Sequence, residues 1–500
     1  MGKAVIWGVA AVAVVGGAYL GVAAYSGSMV RKYYDADLDK LERMLPIIKV
    51  TERKYESGLL SASATYSLRI GCDPQAAGPD GDGGAKSITI TLRDNIALGP
   101  FPGFAGVGLA RADTQVVLPP DAPQELRQWA AAMQPDAIRT TIGFDGAYTT
   151  HMQLPAGEIK GKDGGLHWKP VRATFSMNSA HTFMSYELEL PEAALDFARD
   201  EDTGSVKLVN LRAQGNGELM GNMIWGNATS LAALDHLQIT ATRANVQIDL
   251  NQLKFNSSSV AADGGLLGTS ASMTGALDIN ADGKTFKFDK IEMQESMKRI
   301  HAPTLQKIML GFWQQAGGMC RKAAANPQQP TQDHEAAMLL GMKDLLIHNP
   351  EYSLDKIAIT YEGREGTLSY SVAASGITSE DLQQPNMPSL LNKAIAKASV
   401  KVPVAWLEKI AAENKSGQQL LDMMLGNLIK AGYIAREGDF ITSAALLEHG
   451  QLTLNGKPLD GSALLPPMHL QPQPQPEQEQ KQEPQQEQKQ EPESGGAQEN

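Results

Sequence analysis

The sequence predicts an α+β protein that is mainly antiparallel β. It reads as a long twisted or curved sheet, packed by helices in the C-terminal half and preceded by one N-terminal transmembrane helix. Three observations carry this prediction. Residues 4–24 are 21 consecutive apolar or small residues without a charge. From residue 50 to 293 the dominant hydrophobic period is two, as in MSYELEL (184–190) and SVKLVNL (205–211). From 294 to 460, stretches of helical spacing interrupt further strand blocks.

At about 1.5 Å per helical residue, the run 4–24 spans a hydrocarbon core of about 30 Å. The apolar part of a cleaved signal peptide is shorter, about 7–15 residues. Segment 4–25 is therefore read as an uncleaved transmembrane anchor, with cleavage near Ala23 and Ala24 as the alternative. Residues 1–3 then lie in the cytoplasm and the bulk of the chain is exported. Lys3 precedes the run while Arg31 and Lys32 follow it, so charge bias orients it only weakly. Gly17 and Gly21 form a small-xxx-small pair of the kind that lets two membrane helices pack closely, although glycine is common in such spans anyway.

After the anchor, Leu38, Leu41, Met44 and Leu45 at helical spacing predict a juxtamembrane helix over 31–49, stopped at Pro46. The alternating segments that follow are separated by Gly, Asn and Asp clusters, the punctuation of hairpins and meanders. Alternation gives every strand one apolar and one wet face, which antiparallel sheets tolerate. Helical spacing over 296–325, 333–348, 388–399 and 404–431 predicts the cover for the apolar face. Strand blocks at 354–363 and 366–376 interrupt these helices, and a hairpin at 439–459 closes the ordered chain. Residues 466–500 are Gln-, Pro- and Glu-rich, with EQKQEP at 479–484 repeated at 487–492, a composition that predicts disorder.

Composition excludes some classes. The 500-residue chain has 44 basic and 56 acidic residues, a net charge of -12, so it lacks the basic balance of a general nucleic-acid binder. The tail from Gln471 to Asn500 has seven glutamates and two lysines, net -5, which leaves -7 for the rest. Two cysteines, Cys72 and Cys320, exclude a disulfide scaffold and a cysteine-ligated zinc module. In an oxidising compartment they either pair or stay as separate thiols.

Catalytic and metal signatures fail on inspection. Asp278-Ile-Asn280-Ala-Asp282-Gly283, with Asp289 at the twelfth position, nearly matches a calcium-binding loop, but its flanks alternate like strands. A hairpin turn is the better reading. No nucleophile elbow and no His-Glu-x-x-His helix occurs, and His334, between Asp333 and Glu335, reads as an exposed helix start. The aspartate-rich stretch 73–84 reads as a solvated loop. No catalytic residue, cofactor or metal site is predicted.

Several pieces in order carry a family resemblance. They are the anchor, Tyr55-Glu-Ser-Gly58-Leu-Leu-Ser61 leading into a strand, and Gly99-Pro100-Phe101-Pro102. Near the end come Asn349-Pro350 and the closing Gly450-Gln-Leu-Thr-Leu-Asn455-Gly456. Together they resemble the YdgA-like family of bacterial inner-membrane proteins of unknown function, over the chain from the anchor to about Leu459. The resemblance implies a periplasmic domain on a single-pass inner-membrane anchor and an association into homodimers. It supplies no catalytic residues. Physically, Gly99 to Pro102 suits a fixed bend and Asn455-Gly456 a hairpin turn.

Three functional readings follow. The leading one is a non-enzymatic envelope protein that binds itself or a protein partner. The second is binding or transfer of a lipid or another hydrophobic ligand on the apolar sheet face. The third is an unrecognised hydrolase. The state of that face, plugged by helices or open as a groove, discriminates between the first two.

Overall fold

The computed structural model describes residues 22–459 apart from 24, 37, 44, 46–47, 71–87, 123, 162–163, 200–201, 221–223, 310–342, 384–386 and 413–416. The tail, Cys72, Cys320, Gly17, Gly21, His334 and the stretch 73–84 lie outside the described residues. So does the run 4–24, except for Val22 and Ala23.

Among the described residues, alternation becomes 22 strands of one antiparallel sheet. Strands β1 (Ile48–Ser57), β2 (Ser61–Ile70), β3 (Ile88–Leu98) and β4 (Ala110–Val117) form a meander, which β5 (Ile138–Ile142) and β6 (Tyr148–Leu154) extend. A short hairpin of β7 (Gly157–Gly161) and β8 (Gly164–Trp168) follows, and β9 (Val171–Met177) returns to β6. Strand β10 (Phe183–Arg199) pairs with β9 near its start and β8 near its end.

Strand β10 and the five that follow it are 16–19 residues long: β11 (Asp202–Met220), β12 (Ile224–Ala241), β13 (Val246–Ala262), β14 (Leu266–Ala281) and β15 (Lys284–His301). Globular strands average about 5–6 residues. The meander continues through β16 (Glu351–Tyr361), β17 (Arg364–Ala374), β18 (Ala394–Pro403), β19 (Ala435–Glu437), β20 (Phe440–Glu448), β21 (Gln451–Leu454) and β22 (Lys457–Pro458), with β19 beside β20. Register shifts occur in β1–β2, β11–β12, β13–β14, β14–β15, β15–β16 and β16–β17, and each bulge adds local bend and twist.

The helices differ from the sequence expectation. Helix α1 covers 22–43 at its described residues, so it begins earlier than 31 and ends before Pro46. Helix α2 (Gln124–Ala131) also lies in the N-terminal half. Residues 296–301, expected as helix, complete β15, and helix α3 covers 302–309. Pro303 marks that start, since proline fits the first helical turn. Of 333–348, the described helical residues are 343–346, α4.

Short helices α5 (Ser379–Gln383) and α6 (Met387–Asn392) follow. The expected helix 388–399 ends at Asn392, because β17 and β20 both offer edges to the alternating segment that becomes β18. The stretch 404–431 is two helices, α7 (Val404–Ala412) and α8 (Gly417–Ala431). No helix among the described residues is long and apolar enough to cross a membrane.

Burial is concentrated where α1 crosses the first strands. Val30 packs with Ile96, Leu98, Leu109, Ala112 and Ile142, flanked by Met29, Tyr33, Tyr34, Tyr55 and Tyr148. The other core cluster, Leu267 with Ala302, lies at the foot of α3.

The polar face is held by hydrogen-bonded rows. Hydrogen bonds from Lys290 (2.8 Å) and Lys356 (3.0 Å), with Gln294 at 2.7 Å, hold the Glu292 carboxyl down at about 2. A carboxylate lowered from its ordinary 4.5 stabilises fully above that value and loses the contribution as pH falls towards about 2. Both lysines are substantially hydrated, so Glu292→Gln is expected to cost only about 1 kcal/mol at pH 7. Urea midpoints of the two proteins should converge between pH 4.5 and about 2.

Candidate functional site

Register determines what the alternation builds. In neighbouring strands, paired residues point to the same face of the sheet. Following the pairs from β5 gives Ile138, Met152, Ala173, Leu188, Ala213 and Ala232. The row continues through Phe255, Met273, Met293, Ile357, Leu368 and Val400. All twelve positions, one on each of β5, β6 and β9 to β18, are apolar. At about 4.8 Å per strand the row is about 50 Å long. The row reached through Arg172, Glu189, Arg212, Ala233, Lys254, Thr274 and Glu292 lies on the opposite face and is polar except at Ala233.

Two further rows share this face and are mixed in polarity. One starts in the α1 core at Leu98, Ala110 and Ile142, passes Tyr148, Met177 and Met184, crosses Gly217, Ala228, Ser259 and Thr269, and reaches Met297, Tyr352 and Val372. Between the two lies the row of Tyr186, Gly215, Ser230, Ser257, Ala271 and Glu295. Gly215 is small for a local reason: a Cβ there would stand 2.7 Å from the Tyr186 ring. Among the described residues nothing closes the face over. None of the twelve residues in the long row is buried, and Phe255, Leu368 and Val400 are exposed, as are Tyr370 and Val372 beside them.

A cleft of about 420 Å³ lies on this face between β10 and α3. Its floor carries Ser230, Ser257, Ser259 and Ala271, and Leu305 and Met309 of α3 wall it. The Tyr186 and Ser230 hydroxyls lie 2.6 Å apart. The Tyr352 hydroxyl donates to Glu295 at 3.3 Å, and its pKa is pushed up to about 12, first by its bond with Tyr370. Ser259 Oγ is covered and has no hydrogen-bond partner. The cleft thus joins a hydroxyl-lined floor to apolar walls. A second concavity of about 560 Å³ lies on the other face, among the hydrated side chains Arg172, Glu187, Glu189, Arg212 and Lys254.

Two other groupings hold titratable side chains. Asp94 of β3 is only 2% exposed, beneath α1. The Tyr34 hydroxyl donates to its Oδ2, while Oδ1 makes no hydrogen bond. Burial pushes the Asp94 carboxyl up, against Thr114 and Tyr34, which favour the charged form. Burial likewise raises Tyr34 and Tyr66.

Near α3, the rings of His301 and His348 stack with centroids 4.0 Å apart, and His301 Nδ1 lies 2.8 Å from Thr304 Oγ1. Burial, then His348 and Lys307, lower the His301 pKa, against the attraction of Asp344. No group of three or more His, Cys, Asp or Glu among the described residues is placed to hold a metal ion.

The residues singled out in the sequence do not converge. Gly99, Pro100, Phe101 and Pro102 lie in the β3–β4 loop, with a cis bond between Gly99 and Pro100. Phe101 is exposed and Pro102 buried. Asn455 and Gly456 join β21 to β22 with φ of 50° and 76°. Asp282 and Gly283, of the calcium-like stretch, form the β14–β15 turn with φ of 50° and 78°. Sequence reasoning missed Asp94 and Tyr34, which lie 60 positions apart. It also missed the rows, although the alternation that composes them was visible.

A family model described as a bacterial protein of unknown function, DUF945, matches residues 1–461. No curated protein and no solved structure matches the chain.

Proposed function

The chain belongs to the DUF945 family of bacterial proteins of unknown function, and we propose that it is a YdgA-like inner-membrane protein whose exported sheet holds lipid acyl chains. In this reading residues 4–25 anchor the chain, the sheet lies in the periplasm, and the role is non-enzymatic. The observation that carries it is the twelve-strand apolar row, continuous yet unburied. Hydrocarbon on that face removes apolar surface from water at about 25 cal/mol per Å². A half-bilayer of hydrocarbon is about 15 Å deep, so a row of about 50 Å accommodates chains end to end. The hydroxyl-lined cleft beside α3 suits the polar end of such a ligand.

Photo-crosslinking in cells tests the reading. A full-length chain with a photoreactive residue in place of Phe255 is expected to give lipid adducts by mass spectrometry. The same residue at Asn256, on the opposite face, is expected to give none. Equal labelling at the two positions, or no lipid at Phe255, would overturn the proposal.

A second reading, binding to another copy or an envelope partner, draws on α7 and α8, where Ile410, Leu420, Met423 and Met424 are exposed. Analytical ultracentrifugation of the chain and of a Leu420→Glu, Met424→Glu variant tests it. A dimer that the variant dissociates supports self-association, and a monomer at high concentration removes it.

A further inference from the structure

We propose that the sheet end beside the start of α1 dips into the membrane, as a set of bilayer-inserting loop tips. The inference rests on the reading that 4–25 anchors the chain. Its grounds are a loop sequence, a cluster of exposed apolar side chains, and the place where α1 meets the sheet.

The loop from Gly99 to Gly108, GPFPGFAGVG, contains no side chain that carries a charge or a hydrogen-bonding group. Surface loops are ordinarily polar, because their backbone and side chains face water. Here Phe104 is 89% exposed and Val107 71%. Two neighbouring turns share this character. Leu59 and Leu60, between β1 and β2, are exposed, and so is Phe144, between β5 and β6. Backbone bonds tie the three turns into one tip: Leu98 donates to Leu60 O at 2.9 Å, and Leu109 to Ile142 O at 2.9 Å. Such a contiguous apolar patch on an exported domain marks an interaction surface.

The position of α1 selects the occupant. Gly27 lies against Ser57 and Leu98, at the tip, and the Tyr55 hydroxyl donates to Gly27 O at 3.1 Å. At the other end of the helix, Glu42 accepts from the Val50 amide at 2.9 Å, near the start of β1. The helix therefore runs from the tip into the body. The apolar run ends at Ala24, three residues before Gly27, which is about 4.5 Å along a helix. Exposed Arg31 and Lys32 stand about one turn further in. A bilayer crossed by 4–24 thus lies against Phe104, Val107, Leu59 and Phe144, which would seat in its outer boundary. A protein partner at this spot would compete with the lipid for the same surface.

Fluorescence on the full chain in phospholipid vesicles tests this. The background carries Cys72→Ser and Cys320→Ser, with an environment-sensitive fluorophore on a single cysteine. Phe104→Cys and Val107→Cys report the tip, and Asp136→Cys, in the loop just before β5 at the opposite end, is the control. Lipids brominated near the top of the acyl chain are expected to quench the two tip labels by about two-fold or more and to leave the control unchanged. Flotation of the vesicles reports anchoring separately. A chain that floats with tip labels as unquenched as the control overturns the dipping tip and leaves the anchor standing. A chain that does not float overturns both.

Discussion

Replacing Tyr34 by phenylalanine is expected to destabilise the N-terminal part of the sheet by about 2–3 kcal/mol at pH 7 and to loosen α1 from it. The Tyr34 hydroxyl is the donor that reaches Asp94 Oδ2 from the helix, and Asp94 is almost fully buried with its Oδ1 unsatisfied. Removing that donor leaves a buried carboxylate with weaker compensation, and a hydrogen bond to a charged group is worth about 1.5–3 kcal/mol.

The sign of the pH dependence follows. Burial raises the Asp94 pKa in the folded protein, so the burial effect favours folding at low pH and turns against it as pH rises through the folded pKa. Tyr34→Phe removes a contact that favours the charged form and raises that pKa further. Its cost is therefore greatest once Asp94 ionises and shrinks in acid. Asp94→Asn in the Tyr34→Phe background is expected to recover most of the loss, since a neutral amide needs less compensation. Denaturation midpoints at pH 4 and pH 8, with amide exchange across 25–36, measure these effects. A Tyr34→Phe protein within about 0.5 kcal/mol of the parent at pH 8 would show that the contact does not secure α1.

Placing a carboxylate in the apolar lane is expected to abolish lipid retention without unfolding the sheet. Phe255→Glu and Leu368→Glu serve, because both side chains are already exposed and neither belongs to a core cluster. An ionised group covered by hydrocarbon loses its hydration with nothing in return. Lipid extracted per mole of purified protein should fall at least about ten-fold, which corresponds to about 1.4 kcal/mol. Asn256→Glu and Ser369→Glu, on the polar face, should retain the parental amount. Unchanged circular dichroism would separate a blocked lane from a damaged fold. Parental lipid content in both lane variants would remove the lane from the ligand's path.

Much of the fold was legible because alternation is a local signal. Residues such as Tyr186, Leu188 and Leu190 declare a strand with two unlike faces through their own spacing. The turns were legible too: Asp282-Gly283 and Asn455-Gly456 carry the positive φ that their hairpins require. Two helical expectations failed where local spacing was ambiguous. Residues 296–301 and 394–399 satisfy either a helix or a strand alone, and the open edges of β14, β16, β17 and β20 decide for strand by supplying backbone partners. The candidate site was less legible than the fold. Each apolar residue of the lane was visible, but a shift of one position between two strands would turn every side chain to the other face.

The sequence by itself determined the apolar segment 4–24, a two-faced antiparallel chain after it, and a polar tail, since composition and short-range periodicity suffice for these. Only the tertiary structure decided that twelve strands align their apolar residues into one continuous row, that α1 closes over Asp94, and that α1 meets the end of β3 at Gly27, where the Gly99–Gly108 loop begins. Each is a relation between residues distant in the chain. Such relations are set by strand register and by burial, and neither is encoded in the spacing of any single segment.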